Sequence, residues 1–246
     1  MAKLNLATID EGQPEIFHAL QGEGIAAGRP SVFVRLSGCN LHCVWCDTAY
    51  TWRFDGNEHP HIDGSFFNRR ANSLALEHHV VAKMVREFDC PNIVLTGGEP
   101  MLQQAALTQL CDILGDDFHV EIESNGTIAI SDAFSRHVDQ INLSPKLAHS
   151  GNSDSSPIRI DVLQDYAADD RCWFKFVISE PEQCEEVANI RANCGLPNER
   201  IILMPEGRST KDLRIKESWL MPLALKFGWR MTDRLHIHLS GDTRGT

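Results

Sequence analysis

The sequence has no apolar run long enough to cross a membrane, and residues 1–11 contain no apolar core of the kind found in secretory signals. It is also poor in positive charge, because 23 Lys and Arg stand against 34 Asp and Glu, which leaves a net charge of -11. Phosphate backbones are bound by clustered Lys and Arg, so this balance argues against a nucleic-acid partner. We therefore expect a cytoplasmic protein that acts on a small molecule and binds neither a membrane nor nucleic acid.

Internal repeats and low-complexity tracts are also missing. A chain of 246 residues can build one sizeable core, so we expect a single domain over 1–246. Segment 53–72, rich in Asp, Asn, Gly and His, is predicted to be an insertion or loop, and 152–157 is predicted to be an exposed loop. We assign no role to the histidines in and just after segment 53–72, which are His59, His61, His78 and His79.

Apolar runs rich in β-branched residues alternate with segments of helical period, which is typical of βα units around a parallel sheet. The predicted strands are 31–36, 92–96, 119–124, 141–143, 173–179, 200–204 and 235–239. The predicted helices are 73–88, where apolar residues recur every four positions, 103–114, 181–193, and a less regular one that Pro222 must interrupt or restart. Polar motifs follow several strands. In (β/α) barrels the active site lies at the carboxyl ends of the strands, so we expect the active site where these motifs lie.

Three of the eight cysteines stand close together, as Cys39, Cys43 and Cys46. A four-iron cluster that only carries electrons is usually held by four cysteines, so three thiolates leave one iron able to bind a small molecule. Structural zinc, with His42 or a distant cysteine as fourth ligand, is the alternative. It commonly uses two Cys-x2-Cys pairs, and the sequence has no second pair. The other cysteines are single and are expected to be buried as small apolar residues: Cys90, Cys111, Cys172, Cys184 and Cys194.

A second motif, Thr96-Gly97-Gly98-Glu99-Pro100, follows a predicted strand. Glycines allow close backbone approach to a ligand, and a carboxylate accepts hydrogen bonds from an ammonium group. Such a run is more often a simple strand-to-helix turn, but its place downstream of the cysteines favours binding. Glu123, at the next strand end, could accept hydrogen bonds from ribose hydroxyls, help to bind the ammonium, or be a solvated carboxylate beside a turn. Ser144-Pro145-Lys146 offers a hydroxyl and a cation at another strand end.

The cysteine spacing, with Trp45 directly before the third cysteine, and the Gly-Gly-Glu run resemble the radical S-adenosylmethionine superfamily. Segment 15–24, followed by 28–36 and Cys46-Asp47-Thr48, is similar to the 7-carboxy-7-deazaguanine synthases of queuosine biosynthesis. The likeness runs from about Glu15 through Ser144-Pro145-Lys146 and, more weakly, to 235–238 and 241–245. It implies an α/β fold, a modified, partly open (β/α) barrel with a reduced helix set.

The resemblance also implies a lyase that converts 6-carboxy-5,6,7,8-tetrahydropterin to 7-carboxy-7-deazaguanine with loss of ammonia. Its cofactors would be a [4Fe-4S] cluster, S-adenosylmethionine and Mg²⁺. Cluster ligands would be Cys39, Cys43 and Cys46, and the magnesium ligand Thr48. S-adenosylmethionine would be bound by Trp45, Asp47, Gly98, Glu99, Glu123, Ser144, Pro145, Lys146, Met204, Pro205 and Glu206, with Glu99 on the methionine ammonium. Substrate contacts would be Leu20, Gln21, Gly22, Arg35 and Thr96.

Arg35 is also singled out without the resemblance, because a guanidinium inside an apolar strand should face a buried anion, which it can bind bidentately. Two departures from the family pattern stand out: the part between Thr48 and Asn92 is longer than in compact members, and Ser240 replaces an expected aromatic residue. The family further suggests a homodimer and an external electron donor of the flavodoxin or ferredoxin type. The alternatives are a glycyl-radical enzyme activase and a non-catalytic metal-binding or electron-transfer module.

Overall fold

One sheet joins strands from both ends of the chain. The computed structural model describes residues 3–152 and 157–246. The strands are β1 Leu4–Asp10, β2 Gln13–Pro14, β3 Ile16–Leu20, β4 Pro30–Leu36, β5 Ser73–Leu76, β6 Asn92–Gly97, β7 His119–Ser124, β8 Gln140–Leu143, β9 Cys172–Ile178, β10 Ile201–Pro205 and β11 Arg230–Met231. The helices are α1 Arg69–Asn72, α2 His78–Arg86, α3 Gln104–Leu114, α4 Asp132–Ser135, α5 Ile160–Ala167, α6 Gln183–Cys194, α7 Thr210–Phe227 and α8 Leu235–Ser240.

The strand order is β11-β10-β9-β8-β7-β6-β4-β1-β2, with β3 on β4 and β5 on β1. Strands β4 and β6 to β11 are parallel neighbours, whereas β1, β2, β3 and β5 pair antiparallel at one end. In the part of the chain that the structure describes, the sheet does not close on itself, so the expected partly open α/β architecture is confirmed. None of the helices in the described residues combines the length and apolarity needed to cross a membrane.

The two faces of the parallel strands differ in character, because successive side chains of a strand point to opposite faces. The outer face packs in the main core with the helices and is apolar, as in Val34, Leu95 and Phe174. The inner face carries polar residues at the alternate positions: Arg35, Thr96, Glu121, Glu123, Asn142 and Lys175. The concave side of the sheet is therefore built to hold a polar ligand.

The four-residue period predicted one helix over 73–88, and that prediction is wrong for the first part of the segment. Its first part is β5, which pairs antiparallel with β1, and only α2 is helical. The run Ser73-Leu74-Ala75-Leu76 also alternates polar or small with large apolar residues. That pattern suits a strand beside β1 and competes with the helical period. Segment 53–72 is largely irregular apart from α1.

The C-terminal predictions also need correction. Segment 235–239 is part of α8, not a strand, and α7 runs through Pro222 without a break. Pro222 has no N–H to donate to the Ser218 carbonyl oxygen one turn earlier. Both residues are exposed, so water can donate to that carbonyl instead. The five single cysteines are buried, as expected. Of the predicted exposed loop at 152–157, residues 153–156 lie outside the described residues, and Asn152 is buried.

Candidate active site

The carboxyl ends of the parallel strands surround a cavity of about 430 Å³. Most of the residues selected from the sequence line it: Leu20, Gln21, Gly22, Arg35, Cys39, Cys43, Trp45, Cys46, Asp47, Thr48, Thr96, Gly98, Glu123, Ser144, Lys146, Met204 and Glu206. Glu99, Pro145 and Pro205 do not. Motifs that are distant in the sequence therefore meet at one place, at the edge of the sheet where they were expected.

The cysteine loop follows β4, and each of its sulfur atoms has a hydrogen-bond donor nearby. Leu41 N lies 3.4 Å from Cys39 Sγ, Asn152 Nδ2 lies 3.2 Å from Cys43 Sγ, and Thr48 Oγ1 lies 3.6 Å from Cys46 Sγ. Burial raises the pKa of the three thiols, that of Cys46 to about 11. Thiolates in such a place gain stability from a bound cation.

The donor set fits an iron–sulfur centre. Three thiols lie within eight positions of the sequence, and each has an N–H or O–H group nearby. Hydrogen bonds to the ligand sulfur atoms are typical of such centres. Structural zinc commonly uses a second Cys-x2-Cys pair, which the sequence does not offer.

The Gly-Gly pair supports the cysteine loop through close backbone contacts. A Cβ on Gly98 would lie 2.0 Å from the Gly38 carbonyl oxygen, so no larger residue fits. Gly98 N donates to Leu36 O at 3.0 Å, and Glu99 N donates to Gly38 O at 2.8 Å. The turn after β6 is thus attached to the chain just before the first cysteine.

The Glu99 carboxylate links two turns through buried hydrogen bonds. It is fully buried and accepts from Met101 N at 2.9 Å, Ser124 Oγ at 2.9 Å and Asn125 N at 2.7 Å. With these bonds it joins the turns after β6 and β7 and is not exposed to the cavity. The motif presents the backbone of Gly97 and Gly98 to the cavity, and the contact of Glu99 with the methionine ammonium stays a prediction.

Pro145 and Pro205, which were also predicted to bind S-adenosylmethionine, do not line the cavity, whereas their neighbours in the sequence do. Both prolines are buried. Pro205 ends β10, where the side chain alternation that turns Met204 inward turns the next residue outward. The Ser144 and Lys146 side chains meet instead, with Lys146 Nζ donating to Ser144 Oγ at 2.7 Å.

Four polar residues form a hydrogen-bonded group on the inner face. Gln21 Nε2 donates to Glu121 Oε1 at 2.9 Å and to Glu123 Oε1 at 3.1 Å. Thr96 Oγ1 donates to Glu123 Oε2 at 2.7 Å. Glu123 is therefore not a solvated carboxylate beside a turn. It is bonded to two residues predicted to contact the substrate, while Glu121, which sequence reasoning missed, lies beneath them.

Arg35 has an anionic partner within the chain. Its Nε donates to Glu15 Oε1 at 2.8 Å, and Tyr50 OH donates to Glu15 Oε2 at 2.9 Å. The sequence predicted that Arg35 faces a buried anion. Glu15, which sequence reasoning missed, is such an anion because it is completely buried. Arg35 also lines the cavity, and in the described part of the chain neither Nη is hydrogen-bonded to an acceptor. The guanidinium can therefore still bind a second anion.

A buried ionic network, also missed, lies beside the substrate loop. Arg234 donates from Nε to Glu23 Oε1 at 2.9 Å and from Nη1 to Gly207 O at 2.6 Å, and its Nη2 pairs with Asp47. Lys175 pairs with the other oxygen of Glu23. Burial opposes ionisation, but Lys175 and Arg234 hold the pKa of Glu23 well below its usual range. The network joins the loop after β3 to the end of the cysteine loop.

The C-terminal segment closes one side of the cavity. A Cβ on Gly22 would lie 2.0 Å from His236 Nδ1, and Leu235 N donates to Gly22 O at 2.8 Å. Residues 241–246 line the cavity after α8. Arg208 pairs with both Asp63 and Asp242 and so joins the 53–72 segment to the C-terminal segment.

Comparison with known proteins agrees with this geometry. A family model for a 4Fe-4S single cluster domain matches residues 20–135. The 7-carboxy-7-deazaguanine synthase of Pyrobaculum aerophilum is 35% identical over 94% of this chain and 95% of its own length. That of Halobacterium salinarum is 34% identical over 94% of this chain and 91% of its own.

Solved structures show the same fold. QueE from Escherichia coli matches with a TM-score of 0.62 over 94% of this chain and 95% of that chain, at 23% identity. Streptococcus suis SuiB bound to S-adenosylmethionine matches with a TM-score of 0.53 over 79% of this chain and 48% of that chain, at 14% identity. The sequence identity to the curated relatives extends over nearly the whole chain, and the chain belongs to the 7-carboxy-7-deazaguanine synthase family of radical S-adenosylmethionine enzymes.

Proposed function

We propose that this protein converts 6-carboxy-5,6,7,8-tetrahydropterin to 7-carboxy-7-deazaguanine and ammonia. The observation that carries the proposal is one cavity shared by the three-cysteine loop and the inner-face residues Gln21, Arg35 and Thr96. The product and ammonia together contain the atoms of the substrate, so the reaction needs no net oxidant. A radical cofactor can therefore act in it and be regenerated.

Cys39, Cys43 and Cys46 would hold a [4Fe-4S] cluster. When bound, the cluster supplies the electron that cleaves a carbon–sulfur bond of S-adenosylmethionine. The chain's own residues position that cofactor. Gly98 presents backbone beside the cysteine loop, and Lys146 lies 5.8 Å from the centre of the Trp45 ring, so a cation and an aromatic face share that side of the cavity.

The pterin would lie against the inner-face group. Glu123 and Gln21 offer acceptor oxygens to the N–H groups of the ring, and Arg35 offers donors to its carboxylate. Thr48 lies at the cavity end of the cysteine loop and would provide one ligand to Mg²⁺, which commonly takes its other ligands from water and substrate. Because Glu15 already accepts from Arg35 Nε, the substrate carboxylate would use the Nη atoms.

Four further points belong to the proposal. Residues 1–246 would form one domain, since a single sheet contains strands from Leu4 to Met231. The active form would be a homodimer, and an external flavodoxin- or ferredoxin-like protein would donate the electron. The compartment would be the cytoplasm, where the thiols of the cysteine loop remain reduced.

The test begins with anaerobic reconstitution and EPR spectra of the reduced protein with and without S-adenosylmethionine. A spectrum that changes with the cofactor supports an open iron, whereas an indifferent spectrum would indicate a fully ligated, non-catalytic metal module. The carboxy-tetrahydropterin is then added and the deazapurine measured by mass spectrometry. A cofactor response without product would support the radical S-adenosylmethionine superfamily but exclude this substrate, which is the result expected of an activase.

A further inference from the structure

Asn152 contacts a cluster ligand from a distant part of the sequence. Its side chain is buried, with 4% of the residue exposed, and Nδ2 lies 3.2 Å from Cys43 Sγ. None of the sequence motifs includes this residue. A buried amide must satisfy its polar atoms, so its partners indicate what it does.

The hydrogen bonds fix the orientation of the amide. Oδ1 accepts from the backbone N–H of His42 at 2.7 Å. The opposite orientation would place the amide NH₂ against that N–H and the oxygen against the Cys43 sulfur, and both contacts would be repulsive. The amide therefore directs an N–H at Cys43 Sγ.

The turn that carries Asn152 fits closely against the cysteine loop. Val44 N donates to Ser150 O at 3.0 Å, and Asn152 Nδ2 lies 3.1 Å from Ser150 Oγ. Gly151 has a φ of 76°, and a Cβ there would lie 2.7 Å from Val44 Cγ1. The position of the amide is thus set by several contacts besides the one with sulfur.

Asn152 differs from the other donors to the cysteine sulfurs. Leu41 N and Thr48 Oγ1 belong to the same loop as the cysteines, so they do not connect that loop to another part of the chain. Asn152 comes from the segment after β8, so it connects the cysteine loop to that segment and also supplies a donor to sulfur. Its side chain is neutral and adds no charge beside the thiolate.

We propose that Asn152 is a positioning residue that holds Cys43 and makes the cluster easier to reduce. The inference rests on the proposed function, since it requires a [4Fe-4S] cluster at these cysteines. Reduction adds negative charge to the cluster and its ligand sulfurs. An N–H directed at one of those sulfurs stabilises the reduced form more than the oxidised form and raises the reduction potential.

The test uses the full-length reconstituted protein and two variants. Asn152→Asp keeps an acceptor for His42 N and removes the donor to sulfur, while Asn152→Leu has a similar volume and removes both bonds. Ser150→Ala is the matched control, because it removes the hydroxyl partner of the same NH₂ and leaves the bond to Cys43. The midpoint potential is measured by EPR-monitored titration without S-adenosylmethionine or pterin, and iron and sulfide are measured alongside.

Both Asn152 variants should have a lower midpoint than wild type and Ser150→Ala. At the potential that half-reduces the wild type, the reduced fraction should fall by about threefold or more. Failure of both variants to retain iron, with a wild-type circular dichroism spectrum, would also support the role in holding Cys43. If one variant unfolds, the other decides.

A wild-type midpoint in the loaded variants would overturn the inference and leave the proposed function intact. A wild-type protein that binds no cluster would instead contradict the proposed function itself. The two failures are therefore distinguishable in the same experiment.

Discussion

Replacing Glu121 with glutamine should change how the stability of the protein depends on pH. Glu121 lies on the inner face of β7 with 1% exposed, and its Oε1 accepts hydrogen bonds from Gln21 and Asn142. Burial, and next the negative charge of Glu123, raise its pKa from 4.5 to about 7. The folded protein therefore holds a proton on Glu121 over a pH range where the unfolded chain releases it.

The sign and size of the effect follow from this shift. A raised pKa contributes stability that is fully present below about pH 4.5 and is lost as pH rises through about 7. At about 1.36 kcal/mol per pH unit, the whole contribution is about 3 kcal/mol, of which about 2 kcal/mol disappears between about pH 5.5 and about pH 8.5. Glutamine is neutral throughout and keeps an oxygen for Gln21 and Asn142.

The assay is urea unfolding of wild type and Glu121→Gln at the two pH values. The difference in free energy of unfolding between them should change by about 2 kcal/mol, or roughly 4–8 °C in melting temperature, in favour of the variant at the higher pH. Glu58→Gln removes the same charge from an exposed position and serves as the control. A difference that is equal at both pH values would refute the reasoning.

Three further substitutions test the site. Gly22→Ala should lower the melting temperature and reduce kcat/KM at least about tenfold, because the new Cβ collides with His236. Adding His236→Ala should recover part of the melting temperature, whereas an unchanged melting temperature in Gly22→Ala would contradict the packing. His61→Phe removes the bond from His61 Nε2 to Cys46 O at 2.8 Å and should accelerate loss of cluster absorbance in air, compared with His61→Gln; equal decay rates would argue against the contact. Arg35→Ala should raise KM for the pterin about 10- to 100-fold and leave the S-adenosylmethionine-dependent EPR change intact, so loss of that change would disprove the assigned role.

Most of the parallel strands were predictable, because continuous β-branched runs are typical of strands that helices cover. The same strands contained an unused signal. Lys175 interrupts the apolar run of β9 as Arg35 interrupts that of β4, and Glu121 does so in β7. A charged residue inside a buried strand indicates a polar inner face, so all three could have been selected on the argument that was applied to Arg35 alone.

Other features depend on contacts between distant segments and were out of reach. The run Leu235-His236-Ile237-His238-Leu239 alternates like a strand, but its first N–H bonds to Gly22 O and the segment continues as α8. Short apolar runs cannot be assigned by period alone. The bond from Asn152 to Cys43 likewise joins residues more than a hundred positions apart, and no local pattern marks it.

The most direct test of the central claim is the stoichiometry of the reaction. Reconstituted wild-type protein, S-adenosylmethionine, Mg²⁺, a reductant and 6-carboxy-5,6,7,8-tetrahydropterin are incubated without oxygen, and the deazapurine and ammonia are both measured. The proposed reaction predicts equal amounts of the two products, repeated turnover on one equivalent of S-adenosylmethionine, and neither product from Cys39→Ser. Ammonia without 7-carboxy-7-deazaguanine, or equal yields from Cys39→Ser, would contradict it.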